Sequence, residues 1–277
     1  MSWRRLGRWL TPVAAVLGVF VLWGLIVRVF HVEPYVVPSP QDALAALVDH
    51  WDVLAPLTRV TVQETVIGFA VGALVGFALA VVMSRWSLVQ RVVYPVLVGS
   101  QAIPIVAVAV PIVLVFGYGL LPKVVITAFI VFFPVVVNVL DGFASVDRDL
   151  LNLARIMHGG RTRVLLHIEM PATLTPLFSA LKLGATYAVT GAVLGEWAGT
   201  KEYGLGNFLL IQQSRLATDT VYATVLLLTA IGVTMFLLVM AAERLATPWR
   251  TRSTARRWRR RTAPMRDDVG TGEGGRP

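Results

Sequence analysis

The chain has 277 residues, 56% of them hydrophobic and only 15% charged, with a formal net charge of +9. A soluble domain carries about 25% charged residues, so this balance excludes an ordinary cytosolic globule and makes the length a count of membrane spans. The absence of cysteine excludes disulfides, cysteine-ligated zinc, iron–sulfur clusters and thiol catalysis.

A helical span needs roughly 20 mostly apolar residues. The first uncharged run, 10–27, follows Arg4, Arg5 and Arg8 in the manner of a secretory signal. Arg28-Val29-Phe30-His31 comes next instead of a small-residue cleavage site, so the run is read as a retained span. Pro38-Ser39-Pro40 then opens a short amphipathic helix over 41–51 on the outer face, with Ser39 as N-cap and Pro40 at the first helical position.

The second run lies between Glu64 and Arg85 and the third between Arg91 and Lys123. The third contains Pro95, Pro104, Pro111 and Pro122, which predicts a helix with irregular ends because proline lacks a backbone donor. The fourth run lies between Lys123 and Asp141. The fifth covers 173–195, interrupted only by Lys182, and the sixth lies between Asp219 and Glu243. The predicted fold is therefore all-α, with six transmembrane helices.

Arginine placement sets the orientation, because short cytoplasmic loops are enriched in Lys and Arg. With the N-terminus inside, the inner segments hold Arg85, Arg91, Arg148, Arg155, Arg161, Arg163 and the Arg-rich tail. The outer segments are acidic or mixed, with Glu33, Asp42, Asp49, Asp52, Arg59 and Glu64 in one and Glu196, Lys201, Glu202, Arg215 and Asp219 in another. Both termini are expected in the cytoplasm of a bacterial inner-membrane protein. The expected organisation is a cytoplasmic N-terminus (1–9), a six-span domain (10–246) and a basic, disordered tail (247–277). That tail carries much of the positive charge and is read as an anchor on anionic lipid headgroups. An RNA-binding arm is the alternative, and nucleic acid is not an expected partner.

Two small-residue ladders stand out: Gly68, Gly72, Gly76, Ala80 in the second run and Ala180, Gly184, Ala188, Ala192 in the fifth. A residue of this kind every fourth position lets another backbone approach closely. Plain helix packing and a sliding surface on a translocation path both fit the spacing.

No GxxxxGK[ST], HExxH or GxSxG motif occurs, and His31, His50, His158 and His167 have no metal-ligand spacing. No catalytic or metal site is expected. The informative internal loop is 147–171, too basic to be a span. It predicts two short helices, 148–157 and 161–167, around Gly159-Gly160. Leu150, Leu151, Leu153 and Ala154 form one apolar face, and Val164, Leu165 and Ile168 another. Such faces either fold back on the spans or dock into a partner.

This loop resembles the EAA-x3-G-x9-I-x-L-P element of permeases from binding-protein-dependent ABC importers. Asn152-Leu153-Ala154, His158 and Ile168-Glu169-Met170-Pro171 lie at matching spacing; the Ala, Ile and Pro agree, while Asn, Leu, His and Met depart. At His158, where the pattern has Gly, the next two residues are Gly159 and Gly160, one of which is expected at φ > 0 to supply the bend. His158 itself reads as an exposed loop residue or, alternatively, a proton sensor. Ile103-Pro104, Phe116-Gly117-Tyr118-Gly119, Phe132-Phe133-Pro134, Asp141-Gly142 and Gly195-Glu196-Trp197 followed by Gly204-Leu205-Gly206 extend the resemblance to the nitrate/sulfonate/taurine subfamily over about 35–245.

The resemblance implies a type I importer permease, working as two copies (a homodimer) with two copies of a separate ABC ATPase and an extracytoplasmic binding protein, in the lipid bilayer. ATP and Mg would belong to the ATPase, with no cofactor in this chain. The ATPase-coupling element would comprise Asn152, Ala154, Arg155, His158, Gly159, Gly160, Arg161, Ile168 and Pro171.

Pathway or gate candidates are Gln101, Asn138, Lys182 and Glu196. Gln101 and Asn138 bond between spans or contact solute. Lys182 snorkels to the cytoplasmic interface or lines the pathway. Glu196 is an interfacial carboxylate, a gate, or a contact for the binding protein. An ion-coupled carrier would want carboxylates or histidines at mid-span, and no inward-facing chain of them is evident. The motifs look most like permeases for the pyrimidine precursor of thiamine or related heterocycles, with sulfonates, taurine or nitrate as the alternative.

Overall fold

The computed structural model describes residues 3–157, 160–199 and 203–248, all of them in helices or short connections with no strand. The helices in chain order are α1 (Trp3–Val29), α2 (Pro40–Asp49), α3 (Trp51–Arg85), α4 (Ser87–Ser100), α5 (Ile105–Phe116) and α6 (Leu120–Ala144). They continue as α7 (Arg148–Ile156), α8 (Arg161–Val164), α9 (Met170–Trp197), α10 (Leu205–Ser214) and α11 (Thr218–Ala246). Residues 249–277 of the tail, His158, Gly159, Lys201 and Glu202 lie outside the described residues.

Four helices among the described residues are long and apolar enough to cross a membrane: α3, α6, α9 with its N-terminal extension, and α11. The first run is helical, and its apolar described part is Ala14–Val29, shorter than a full crossing. The third run departs from expectation. Instead of one helix with irregular ends it forms α4 and α5, bent by 104° across a four-residue break. Pro104 explains the position of the break, because it has no N–H to donate and its ring pushes Ile103 out of helical backbone. Pro95 and Pro111, by contrast, lie within α4 and α5. Counting that bent pair as one crossing gives five by length and composition among the described residues.

Ser39 caps α2 as expected. Its hydroxyl accepts from the Asp42 backbone, Asp42 answers through the Ser39 N–H, and Pro40 begins the helix. Inside the bundle, α6 is the central helix, flanked by α3 and α9. Both small-residue ladders turn towards it. A Cβ added at Gly72 would stand 2.6 Å from the Ala128 carbonyl oxygen, and one at Gly184 would stand 3.0 Å from Val131. Val131 is wedged between the two ladders and is fully buried with Val135 and Val139 along the same stripe. The ladders are therefore packing surfaces within one chain. On the outside, α11 packs on α9 through Met235 and Val239, and Trp23 of α1 stacks on Tyr222 of α11 with ring centroids 5.5 Å apart.

The second short helix of the internal loop is not a separate element. α8 stops at Val164, a π-helical turn runs over Leu165–Glu169, and the chain enters α9 at Met170 without leaving helix. Pro171 sits in the first turn of α9, where a missing donor costs least, and the wider turn before it absorbs the ring that would otherwise crowd the preceding carbonyls.

Candidate functional site: a cavity beside α6 and a buried charge cluster

α6 carries different chemistry on its two sides. On the side facing α3 and α9, Lys123 at the start of the helix is fully buried and donates to Glu64 Oε1 of α3 at 2.5 Å. One helix further, Glu196 of α9 is also fully buried. Its Oε1 accepts from the Thr61 hydroxyl at 2.7 Å and its Oε2 from the Asn207 backbone N–H at 3.1 Å. The Thr61 hydroxyl in turn accepts from the Leu205 N–H at 2.9 Å. Glu196 thus places negative charge in the first turn of α10, where the free N–H groups and the helix dipole favour it.

The glycines of the Gly204-Leu205-Gly206 segment make this possible. A side chain at Gly204 would collide with the Glu196 carboxylate. Trp197 completes the junction by donating from its indole to the Gly206 carbonyl at 2.9 Å. Glu64 Oε2 and Thr127 Oγ1 are buried without a hydrogen-bond partner among the described residues.

These facts correct three expectations. Glu196 is not an interfacial group presented to a binding protein, because it is enclosed and its oxygens are occupied by α3 and α10. Glu64 and Lys123 are not solvated ends of spans; they pair inside the bundle, as ionisable groups at membrane depth generally do. Inward-facing carboxylates therefore do exist in the chain. Lys182 bonds to Glu243 in the last turn of α11 at 2.9 Å, and both side chains keep partial solvent exposure.

Another part of the α6 surface borders open space. Between it, α9 and the α4–α5 break lies a partly open cavity of about 590 Å³. Gln101 at the end of α4 and Asn138 of α6, two of the four pathway candidates, both line it; Lys182 and Glu196 do not. Ser100 and Thr190 add hydroxyls, and Phe129, Phe133 and Tyr187 supply aromatic faces. Asn138 donates to the Pro134 carbonyl at 2.8 Å, which fixes its amide.

The coupling-loop residues occupy the other end of α6. Asn152 and Ala154 lie on α7, together with Arg155 by its backbone. Arg161 opens α8, and Ile168 is half-buried in the π-helical turn ahead of Pro171. The Gly160 carbonyl accepts from Arg163 and Val164 and so starts α8. Glu169 approaches Arg85 at the end of α3 to 4.0 Å, linking the loop to a second span.

The match to known proteins agrees with this architecture. Residues 68–252 match the family described as binding-protein-dependent transport system inner membrane component. The chain belongs to that family. It is 34% identical over 229 residues to a probable ABC transporter permease protein of Haemophilus influenzae, covering 83% of this chain and 93% of the relative. It is 32% identical over 245 residues to the formylaminopyrimidine transport permease protein ThiX of Halalkalibacterium halodurans, covering 87% and 96%. The riboflavin transport system permease protein RibX of Chloroflexus aurantiacus is 36% identical over 165 residues, 60% of each chain. The protein is a multi-pass inner-membrane permease subunit of an ABC importer and not an enzyme. Family membership implies an ATPase partner and a substrate-binding protein.

Several residues of the site escape a reading of uncharged runs, because that reading treats every charge as a boundary. Glu64 precedes Gly68 by four residues and Glu196 follows Ala192 by four, so each ladder continues into a glutamate on the same helix face. Lys123, Thr127, Val131, Val135 and Val139 repeat the spacing on α6. Extending the ladders by one step would have turned these charges inward.

Proposed function

We propose that this permease works as two identical subunits, each docking one copy of a separate ATPase through the loop 147–171, and imports a small organic heterocycle. The observation that carries the docking is the apolar face of α7: Leu150, Leu153 and Ile156 are 47%, 53% and 74% exposed. No described part of the chain covers these side chains, and the aqueous phase opposes leaving them bare. Ala154, Gly160, Ile168 and Pro171 shape the remainder of the docking element, and Asn152, Arg155, His158, Gly159 and Arg161 complete it. The π-helical turn joins that element directly to α9, so movement of the ATPase is passed to the wall of the cavity through continuous helix. ATP and Mg bind on the ATPase.

Replacing Leu153 and Ile156 with Asp is expected to leave membrane levels intact and lower co-purification of the ATPase by about tenfold or more, as for the apolar anchors of other interfaces. Co-purification at the level of the unmodified chain would refute the docking face.

Both termini are assigned to the cytoplasm on the arginine bias, with the basic tail 247–277 on anionic headgroups. The cysteine-free chain makes this easy to check. Tyr203→Cys should react with an impermeant maleimide in intact cells and Ser253→Cys only after lysis; the reverse pattern would invert the topology.

The substrate class favoured is a pyrimidine precursor of thiamine or a similar heterocycle, the reading supported by the formylaminopyrimidine and riboflavin permeases among its relatives. A sulfonate, taurine or nitrate importer is the second reading, favoured by the subfamily motifs of 132–134 and 195–206. Uptake of labelled aminopyrimidine and taurine by proteoliposomes holding the complete importer separates the two.

A further inference from the structure

The cavity beside α6 has a composition that selects among solutes. Among the described residues no Lys, Arg, Asp or Glu lines it. The two lysines of the spans are committed elsewhere, Lys123 to Glu64 of α3 and Lys182 to Glu243 of α11. An anion entering this space would leave water without gaining a cation, which disfavours it. A neutral ring pays no such penalty.

The polar groups present are amides and hydroxyls, which match hydrogen-bonding edges and not net charge. Each amide of Gln101 and Asn138 carries a donor and an acceptor side by side. That pairing is complementary to an amino group next to a ring nitrogen, the arrangement by which Asn and Gln read the edge of adenine. Asn138 is held in place by its bond to the Pro134 carbonyl, leaving its oxygen and a second N–H for a ligand. Phe129, Phe133 and Tyr187 offer ring faces to a flat solute. A volume of about 590 Å³ lies within the usual range for small-molecule sites.

We infer that this cavity is a selective station inside the membrane for an uncharged, planar heteroaromatic solute bearing an amino–ring-nitrogen edge, with Asn138 and Gln101 as its specificity-determining residues. The permease then imposes a second selection after the binding protein: it rejects anions by offering no counter-charge and rejects aliphatic solutes by leaving the amides unpaired. This rests on the importer reading above but adds a property that reading does not require.

The test uses the full-length permease with its co-purified ATPase in lipid nanodiscs, dialysed to equilibrium against labelled 4-aminopyrimidine or methanesulfonate, with empty nanodiscs as baseline. The intact complex should retain 4-aminopyrimidine above baseline and methanesulfonate at baseline. Asn138→Leu and Gln101→Leu should each weaken 4-aminopyrimidine retention by about tenfold, the scale of one desolvated hydrogen-bonding group. Asn138→Lys should raise methanesulfonate retention above baseline. Equal retention of both probes by the intact complex, retention of neither, or leucine variants indistinguishable from it would overturn the inference. Stimulation of ATP hydrolysis by loaded binding protein in the same discs tests the importer reading separately. Lost stimulation counts against that reading, while the probe preference still decides what the cavity selects.

Discussion

The two sides of α6 differ in what they can tolerate. On one, Thr127, Val131 and Val135 meet the glycines of α3 and α9 so closely that a single added carbon has no room. On the other, Phe129, Phe133 and Val137 border open space. Packing density and charge pairing make the first side a fixed core, whereas the second has room and polarity to hold a guest. A permease needs both, since a pathway wall moves as a unit only if its own helices do not shift against one another.

The comparison breaks most visibly if the close-packed side is enlarged. Gly72→Leu should abolish assembly, because the new side chain must displace the backbone of α6 at Ala128 and the buried Val131. Overpacking costs about 1–3 kcal/mol even where neighbours can yield, and here one neighbour is a carbonyl. The permease recovered from membranes in folded form, measured by size-exclusion of a fluorescent fusion, should fall to background. A normal elution profile would show that α3 and α6 are not locked together.

The charge cluster gives a graded test of the same side. Removing one member of a buried pair leaves the other uncompensated, at about 3–5 kcal/mol. Lys123→Met should therefore lower the thermal midpoint strongly. Lys123→Met combined with Glu64→Leu should recover much of the loss, because neither charge then remains unpaired. Equal midpoints for the single and double variants would mean that the pair is not the coupling between α3 and α6.

Much of this division was legible in the sequence, and its gaps have physical causes. The i+4 ladders identified the close-packed faces, and the Ser39–Pro40 signal located α2, because both depend on local spacing and backbone chemistry. Gln101 and Asn138 were recognisable as polar groups in apolar surroundings, but nothing local shows that they share one cavity. That depends on the break at Pro104, which four prolines in one run left undetermined. Glu64 and Lys123 were hidden by the rule that charges end spans, a rule that fails when opposite charges on neighbouring helices meet. The continuity of the coupling loop with α9 rests on the π-helical turn ahead of Pro171, for which local spacing gives no signal.

The most direct measurement pairs uptake with stability in a single variant on the open side. Asn138→Leu removes the amide that faces the cavity while keeping a side chain of similar size. In proteoliposomes containing permease, ATPase and binding protein, solute uptake should fall by about tenfold, with the thermal midpoint of the permease unchanged. Unchanged uptake together with a lowered midpoint would contradict the account, since it would make Asn138 part of the fixed core and leave the pathway without its wall.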